Sequence, residues 1–273
     1  MSELLISGAS SDGVIVSFEP ESVGFEYVGF EVLALDRGGT AERVCGEREL
    51  CVVVISGVLH VASEHGEWLD LGGRADPWAD LPDAAYLPPH SHVGLRAGED
   101  GAEVALCWAP APNGGGDPRI LPGAAIEVET RGHGRFERFI RPILMEGEGA
   151  ESLLVVEVLT PAGNWSSYPP HKHDHDDPPR QSRLEETYYH RIRPERGFGL
   201  MRVYAHDTAL DEALTFRDRD CVLVPRGYHT VSAPPGYEVY YLNVMAGPSR
   251  LWAVVNDPDH EWMLDGSNDN PPS

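Results

Sequence analysis

No stretch of this chain sustains a helical period. Its apolar residues gather in short β-branched and aromatic runs closed by glycine or proline, a rhythm that demands an all-β fold of many short strands. Residues 25–35 end at Asp36-Arg37-Gly38-Gly39, and residues 50–61 read as two strands hinged at Ser56-Gly57. Residues 84–89 and 104–109 continue the series, and the breaker-rich residues 110–118 form a linker or long loop. The rhythm then resumes at 153–159, 186–192, 199–204, 221–224 and 239–244. The 29 glycines and 23 prolines, spread along the chain, supply the turns that such strands need.

The two halves also correspond. Ala85-Tyr86-Leu87-Pro88-Pro89-His90 and Val222-Leu223-Val224-Pro225-Arg226-Gly227 are both short apolar strands running into a proline turn. The expected architecture is therefore two tandem jelly-roll β-barrels, residues 1–125 and residues 126–273, with metal-binding residues kept only in the second.

Those residues begin at Tyr168-Pro169-Pro170-His171-Lys172-His173-Asp174. Side chains alternate along a strand, so His171 and His173 point to one side and can reach one ion. Glu185-Glu186 heads a later strand, and His229 follows the Pro225-Arg226-Gly227-Tyr228 turn. In a barrel, inward side chains from distant strands converge on the axis. Of the two glutamates only one can face inward, and Glu186, opening the Tyr188-Tyr189 strand, is favoured. Three histidines and a carboxylate suit a borderline divalent ion: zinc foremost, with manganese, nickel and iron also accommodated. The bland readings are a solvated polar loop at residues 171–177 and an ordinary hydrogen-bonded histidine at His229. His175 belongs with the loop, and His90 and His92 repeat the HxH spacing without a glutamate-headed strand to follow.

Charge narrows the partners. Asp and Glu number 44 against 21 Lys and Arg, a formal charge of -23, which repels phosphate backbones and anionic lipid. An anionic small substrate needs arginines gathered locally. Arg180 and Arg183, in the insert between His173 and Glu186, and Arg226, before His229, are the candidates, since a guanidinium fork suits a carboxylate. Their alternative is to balance surface acid. Cys45, Cys51, Cys107 and Cys221 show no CxxC spacing and read as buried small hydrophobes. No signal-peptide order and no apolar run of membrane-spanning length is present, so the expected location is cytoplasmic. Exposed sheet edges are compatible with a homo-oligomer.

The HxH, glutamate and third histidine resemble the cupin superfamily, although ordinary cupins place the glutamate close after the HxH, whereas here twelve residues intervene between His173 and Glu186. That spacing, together with residues 160–174, 184–192, 222–229, 240–248 and 256–263, resembles the 5-deoxy-glucuronate isomerase family of myo-inositol catabolism, and the first half resembles it more loosely. The resemblance implies a bicupin, a metal held by His171, His173, Glu186 and His229, and conversion of 5-deoxy-glucuronate, a small acidic sugar, to 5-dehydro-2-deoxy-gluconate. Such an aldose–ketose isomerisation moves hydrogen between C1 and C2, by proton transfer through a cis-enediolate or by a hydride shift. A Lewis acid on the carbonyl eases the first route, which also needs a base. Tyr188 and His190 share the face of Glu186 and are the candidates to shuttle protons or position hydroxyls, against plain aromatic packing. Two other classes use the same ligands: a metal-dependent cupin dioxygenase and a non-catalytic sugar-binding cupin.

Overall fold

The computed structural model of the chain describes residues 2–9, 12–207 and 210–265. Strands dominate, and the helical segments are short 3-10 turns such as Pro20–Val23 and Glu261–Asp265. The first half is one antiparallel sheet curled on itself. Its order is Val14–Phe18, Gly29–Leu35, His92–Pro110, Arg48–Ser63, Ala84–Leu87, Arg119–Leu121, with Thr40–Val44 beside His92–Pro110 and Gly66–Gly72 beside Arg48–Ser63. The Arg48–Ser63 strand bends at the Ser56-Gly57 hinge, where its register slips. Gly57 sits at φ 80°, and a Cβ there would lie 2.2 Å from the Gly101 carbonyl oxygen, so only glycine fits. The bend lets one strand pair with Ala84–Leu87 before the hinge and with Gly66–Gly72 after it.

The second half faces two sheets. One runs Leu5–Ile6, Cys221–Val224, Glu185–Arg193, Glu238–Ala246, Leu154–Thr160, Arg138–Leu144, Glu129–Arg131, and the other Asp211–Phe216, Gly199–Tyr204, Tyr228–Ser232, Trp165–Lys172, Val255–Asn256. Sheet membership changes between Arg119–Leu121 and Glu129–Arg131. One strand departs from chain order: Leu5 pairs with Val222 and Ile6 with Cys221, so the first strand of the chain completes the second barrel. Together these layers make an all-β bicupin.

The duplication is visible residue by residue. Leu50 pairs with Leu87 and Trp108, as Glu186 pairs with Val224 and Met245. In the same register Val52 corresponds to Tyr188 and Val54 to His190. Each barrel fills its own interior, and a third core lies between them, where Val53, Tyr86 and Cys107 of the first meet Tyr189, Leu223 and Leu242 of the second. Side chains of this size are worth roughly 1.5–3 kcal/mol each when fully buried, so the shared core makes the two barrels one packed body.

Four glutamates stitch that junction. Glu49 accepts backbone N–H bonds from Glu151, Ser152 and Leu153 at 2.8, 2.6 and 2.7 Å. Its counterpart Glu185 accepts from Glu26, Tyr27 and Val28 at 2.6, 2.8 and 3.1 Å. Glu157, fully buried, takes both ends of the Arg74 fork at 2.8 and 2.9 Å, and Glu103 meets Arg191 and Arg219 at 2.9 and 2.8 Å. A buried carboxylate is tolerable only when its lone pairs are met in this way.

Candidate metal centre

The Trp165–Lys172 strand reaches the centre by way of a bulge. Ser166 pairs with Val231 and His171 with His229, and the chain between runs out of register with Ser167 at φ 49°. The bulge turns His171 to face His229, with ring centroids 4.6 Å apart. His173 lies just past the strand end, before the hairpin Asp174–Asp177 and Gln181–Arg183 that forms the insert. Across the barrel Glu186 opens the Glu185–Arg193 strand and points inward, while Glu185 turns out to the first barrel.

The four side chains meet. Ring nitrogens of His171, His173 and His229 lie within 4.8 Å of one another. The Nε2 atoms of His173 and His229 each stand 3.0 Å from Oε2 of Glu186. Nδ1–H of His173 donates to the Leu184 carbonyl at 3.0 Å and Nδ1–H of His229 to the Gly227 carbonyl at 3.2 Å. Those bonds place the proton on Nδ1 and leave both Nε2 lone pairs directed into the cluster. His229 Nε2, for all its proximity to Glu186, makes no hydrogen bond. His173 Nε2 bonds Glu186 Oε2 at 3.0 Å when the ring carries a second proton, a place that a cation can take, and His229 Nε2 has no partner at all, so the donor set fits a cation held among them.

Electrostatics agree. Burial, with the neighbouring His229 and His173 rings, holds the His171 pKa well below the ordinary imidazole value, which keeps its lone pair free. Burial also opposes charge on His173, but the Glu186 carboxylate outweighs it and raises that pKa. Glu186 is penalised by burial in turn, yet His229 and His173 hold it well below the usual carboxylate range.

His171 and Glu186 of the cluster line a cavity of about 490 Å³ together with Tyr188, Tyr241, Asn243, Arg131 and Arg138. The Tyr188 phenol sits 3.2 Å from Ser167 Oγ, and burial together with the charge of Glu186 pushes its pKa far above the ordinary value. It remains a protonated donor. His190 does not line the cavity. It stacks on Phe216 with centroids 3.6 Å apart, fully buried, and neither ring nitrogen has a hydrogen-bond partner.

The arginines expected to meet substrate are elsewhere. Arg180 is exposed and paired with Asp177 at 2.9 Å, across the hairpin turn. Arg183 reaches back to the first barrel, over the Tyr27 ring and 3.2 Å from Glu26. Arg226 is exposed on the turn before His229. None of the three lines the cavity. Arg131 and Arg138 do, placed opposite each other as partners of adjacent strands. The signal for them was in the sequence: Arg131, Arg135, Arg138 and Arg141 crowd eleven residues of an acidic chain.

A two-barrel cupin fold with a buried three-histidine, one-carboxylate cluster is a class of small-molecule enzymes and binders. Within it the chain belongs to the KduI/IolB family, whose profile matches residues 4–263. It is 48% identical to a 5-deoxy-glucuronate isomerase of Geobacillus thermodenitrificans over 97% of both chains. It is 44% identical to a protein of the same name from Halalkalibacterium halodurans, over 90% of this chain and 91% of that one. The crystal structure of an IolB-like protein from Salmonella typhimurium superposes with a TM-score of 0.91 and 41% identity, covering 96% of this chain and 99% of the other. Bacillus subtilis oxalate decarboxylase, at 15% identity and a TM-score of 0.64 over 97% and 84% of the two chains, shares the fold.

Proposed function

We propose that this chain is a metal-dependent sugar ketol-isomerase that converts 5-deoxy-glucuronate to 5-dehydro-2-deoxy-gluconate in myo-inositol catabolism. Near full-length relatives carry the name 5-deoxy-glucuronate isomerase. The observation that carries the metal is the convergence of the His173 and His229 lone pairs on one oxygen of Glu186. His171, His173, Glu186 and His229 would hold the ion. Zinc is the first choice, and manganese, nickel or iron suit the same ligands. Bound there, a divalent ion supplies Lewis acidity toward a sugar carbonyl and its neighbouring hydroxyl.

The chain's own residues do the rest. The neutral Tyr188 phenol, steadied by Ser167, offers its proton to a substrate oxygen at the cavity wall. Tyr241 and the apolar residues Ile140, Val156 and Val158 line the cavity and limit water around the reacting end. The substrate is a small acidic sugar. The charge of -23 disfavours nucleic acid and anionic membrane as partners, and no helix among the described residues is long and apolar enough to cross a membrane. The four cysteines are buried and unpaired, which suits a reducing cytoplasm. We divide the chain near residue 125 into two barrels, with Leu5–Ile6 lent to the second.

A coupled assay with 5-deoxy-glucuronate on wild type and His171→Ala, with metal measured on both, tests the reading. Turnover is expected in metal-loaded wild type and loss of both metal and turnover in the variant. Substantial turnover by metal-free His171→Ala protein would sink it. In deuterated water, label entering the product under single turnover would mark proton transfer, and its absence a hydride shift.

A further inference from the structure

We propose that Arg138 is the residue that binds the substrate carboxylate and makes the enzyme specific for an acidic sugar. Arg138 opens the Arg138–Leu144 strand and lines the same cavity as His171, Glu186 and Tyr188. Its Nη1 donates to two backbone carbonyls, Phe136 at 3.1 Å and Tyr168 at 3.3 Å. No hydrogen bond among the described residues uses its Nε or Nη2, and no carboxylate pairs with it. That is unusual company for a half-buried guanidinium in a chain of 44 acidic residues.

The contrast with its neighbours is sharp. Arg131, directly across the strand pair, is held by Glu129 at 2.8 Å and lies over the Trp252 ring. Arg141, on the same strand, is held by Glu157 at 2.9 Å. Arg138 alone of the three has no acid partner anywhere on its guanidinium. Burial most of all, and the nearby Arg131 charge, disfavour its cationic form, and Tyr241 and Tyr188 offset this only in part. An anion entering the cavity supplies the missing compensation, and two donors on one edge of a guanidinium match a carboxylate in two parallel bonds.

The placement also sets direction. Arg138 lines the same cavity as His171, and its Nη1 bonds the Tyr168 carbonyl, three residues before His171 on the ligand strand. A six-carbon uronate bound by its acid end at Arg138 turns its carbonyl end toward the histidine–glutamate cluster. A neutral sugar gains nothing there and leaves the guanidinium unpaired, which costs it affinity.

The proposal rests on the isomerase reading for its kinetic assay, which compares 5-deoxy-glucuronate with its neutral methyl ester. Wild type is expected to favour the acid. In Arg138→Met, kcat/KM for the acid should fall about 100-fold, chiefly through KM, while turnover of the ester stays within about twofold and metal content is unchanged. Arg138→Lys keeps charge without the fork, and the acid-to-ester ratio should fall about 10-fold. Equal losses on acid and ester, or an acid preference unchanged in either variant, would overturn the assignment. Calorimetric titration of 5-deoxy-glucuronate into metal-loaded wild type and Arg138→Met separates the two ideas. Binding lost in the variant, with no turnover in wild type, sinks the reaction and keeps the anchor. Turnover in wild type with binding unchanged in the variant does the reverse.

Discussion

Leu50, Val52 and Val54 line the interior of the first barrel at the places that Glu186, Tyr188 and His190 occupy in the second. The same strand frame thus encloses an apolar stripe in one copy and a polar one in the other. In the first barrel, Leu50, Leu87, Leu95 and Trp108 close the interior without a polar partner to satisfy. The second gives up that burial for function. Before residue 125, Arg119 Nη2 is the one buried side-chain atom among the described residues that lacks a hydrogen bond. After it stand Thr187 Oγ1, both His190 nitrogens, His229 Nε2 and Tyr240 Oη, among others. Unmet polar atoms are costly, and of those named only His229 Nε2 belongs to the cluster. The difference teaches that the same strand frame closes around an apolar interior without the cluster, so the cluster residues are not what builds the barrel.

Copying one interior onto the other breaks or sharpens this comparison. Glu186→Leu gives the second barrel the first one's residue; isomerase activity should drop by about 1,000-fold or more, the several kcal/mol that metal polarisation supplies, with metal content falling in parallel. Activity retained beside lost metal would separate cluster from reaction. The reverse exchange, Leu50→Glu, places a carboxylate in a barrel with no histidines to meet it and should cost about 3–5 kcal/mol in urea unfolding. A loss under about 1 kcal/mol would mean that the first interior is wetter than its side chains imply.

His190→Val copies Val54 and acts through pH. Burial pushes the His190 pKa down from 6.5 to about 3, so the folded chain keeps the ring neutral while the unfolded chain takes up a proton below 6.5. Stability from this residue therefore falls as pH drops through that window, by about 2 kcal/mol at pH 5. The variant should unfold with a shallower acid dependence, and identical profiles would show that His190 finds a partner in solution. The smallest effect belongs to Arg180→Ala, expected to leave KM within about twofold because the side chain is exposed and serves only Asp177.

Alternation along strands let the sequence say which side chains share a face. Glu186 with Tyr188, and His171 with His173, do line or adjoin one cavity. Alternation does not give depth, and His190, two residues beyond Tyr188, is carried past the cavity into the packing around Phe216. The insert arginines misled for a related reason. Nearness to the ligands in sequence is not nearness in space, because the insert folds into its own hairpin and turns Arg183 toward the first barrel. Arg138 lies far from the HxH in sequence, on a strand whose apolar pattern, Arg-Phe-Ile-Arg-Pro-Ile-Leu, is interrupted by charge and carries no clean strand period. The partner of Leu5–Ile6 was beyond reading, since a two-residue strand carries no period.

That short strand bears on how the protein is made. Residues of the first barrel leave the ribosome together and can pack as soon as they emerge. Leu5 and Ile6, though synthesised before all of them, find their partners only when Cys221 and Val222 appear, and Leu4 then receives the Leu223 N–H at 2.8 Å. This early segment is fastened late, one strand removed from the strand that carries Glu186. Deleting residues 2–6 should therefore be felt at the histidine–glutamate cluster before it is felt in the barrel that follows them.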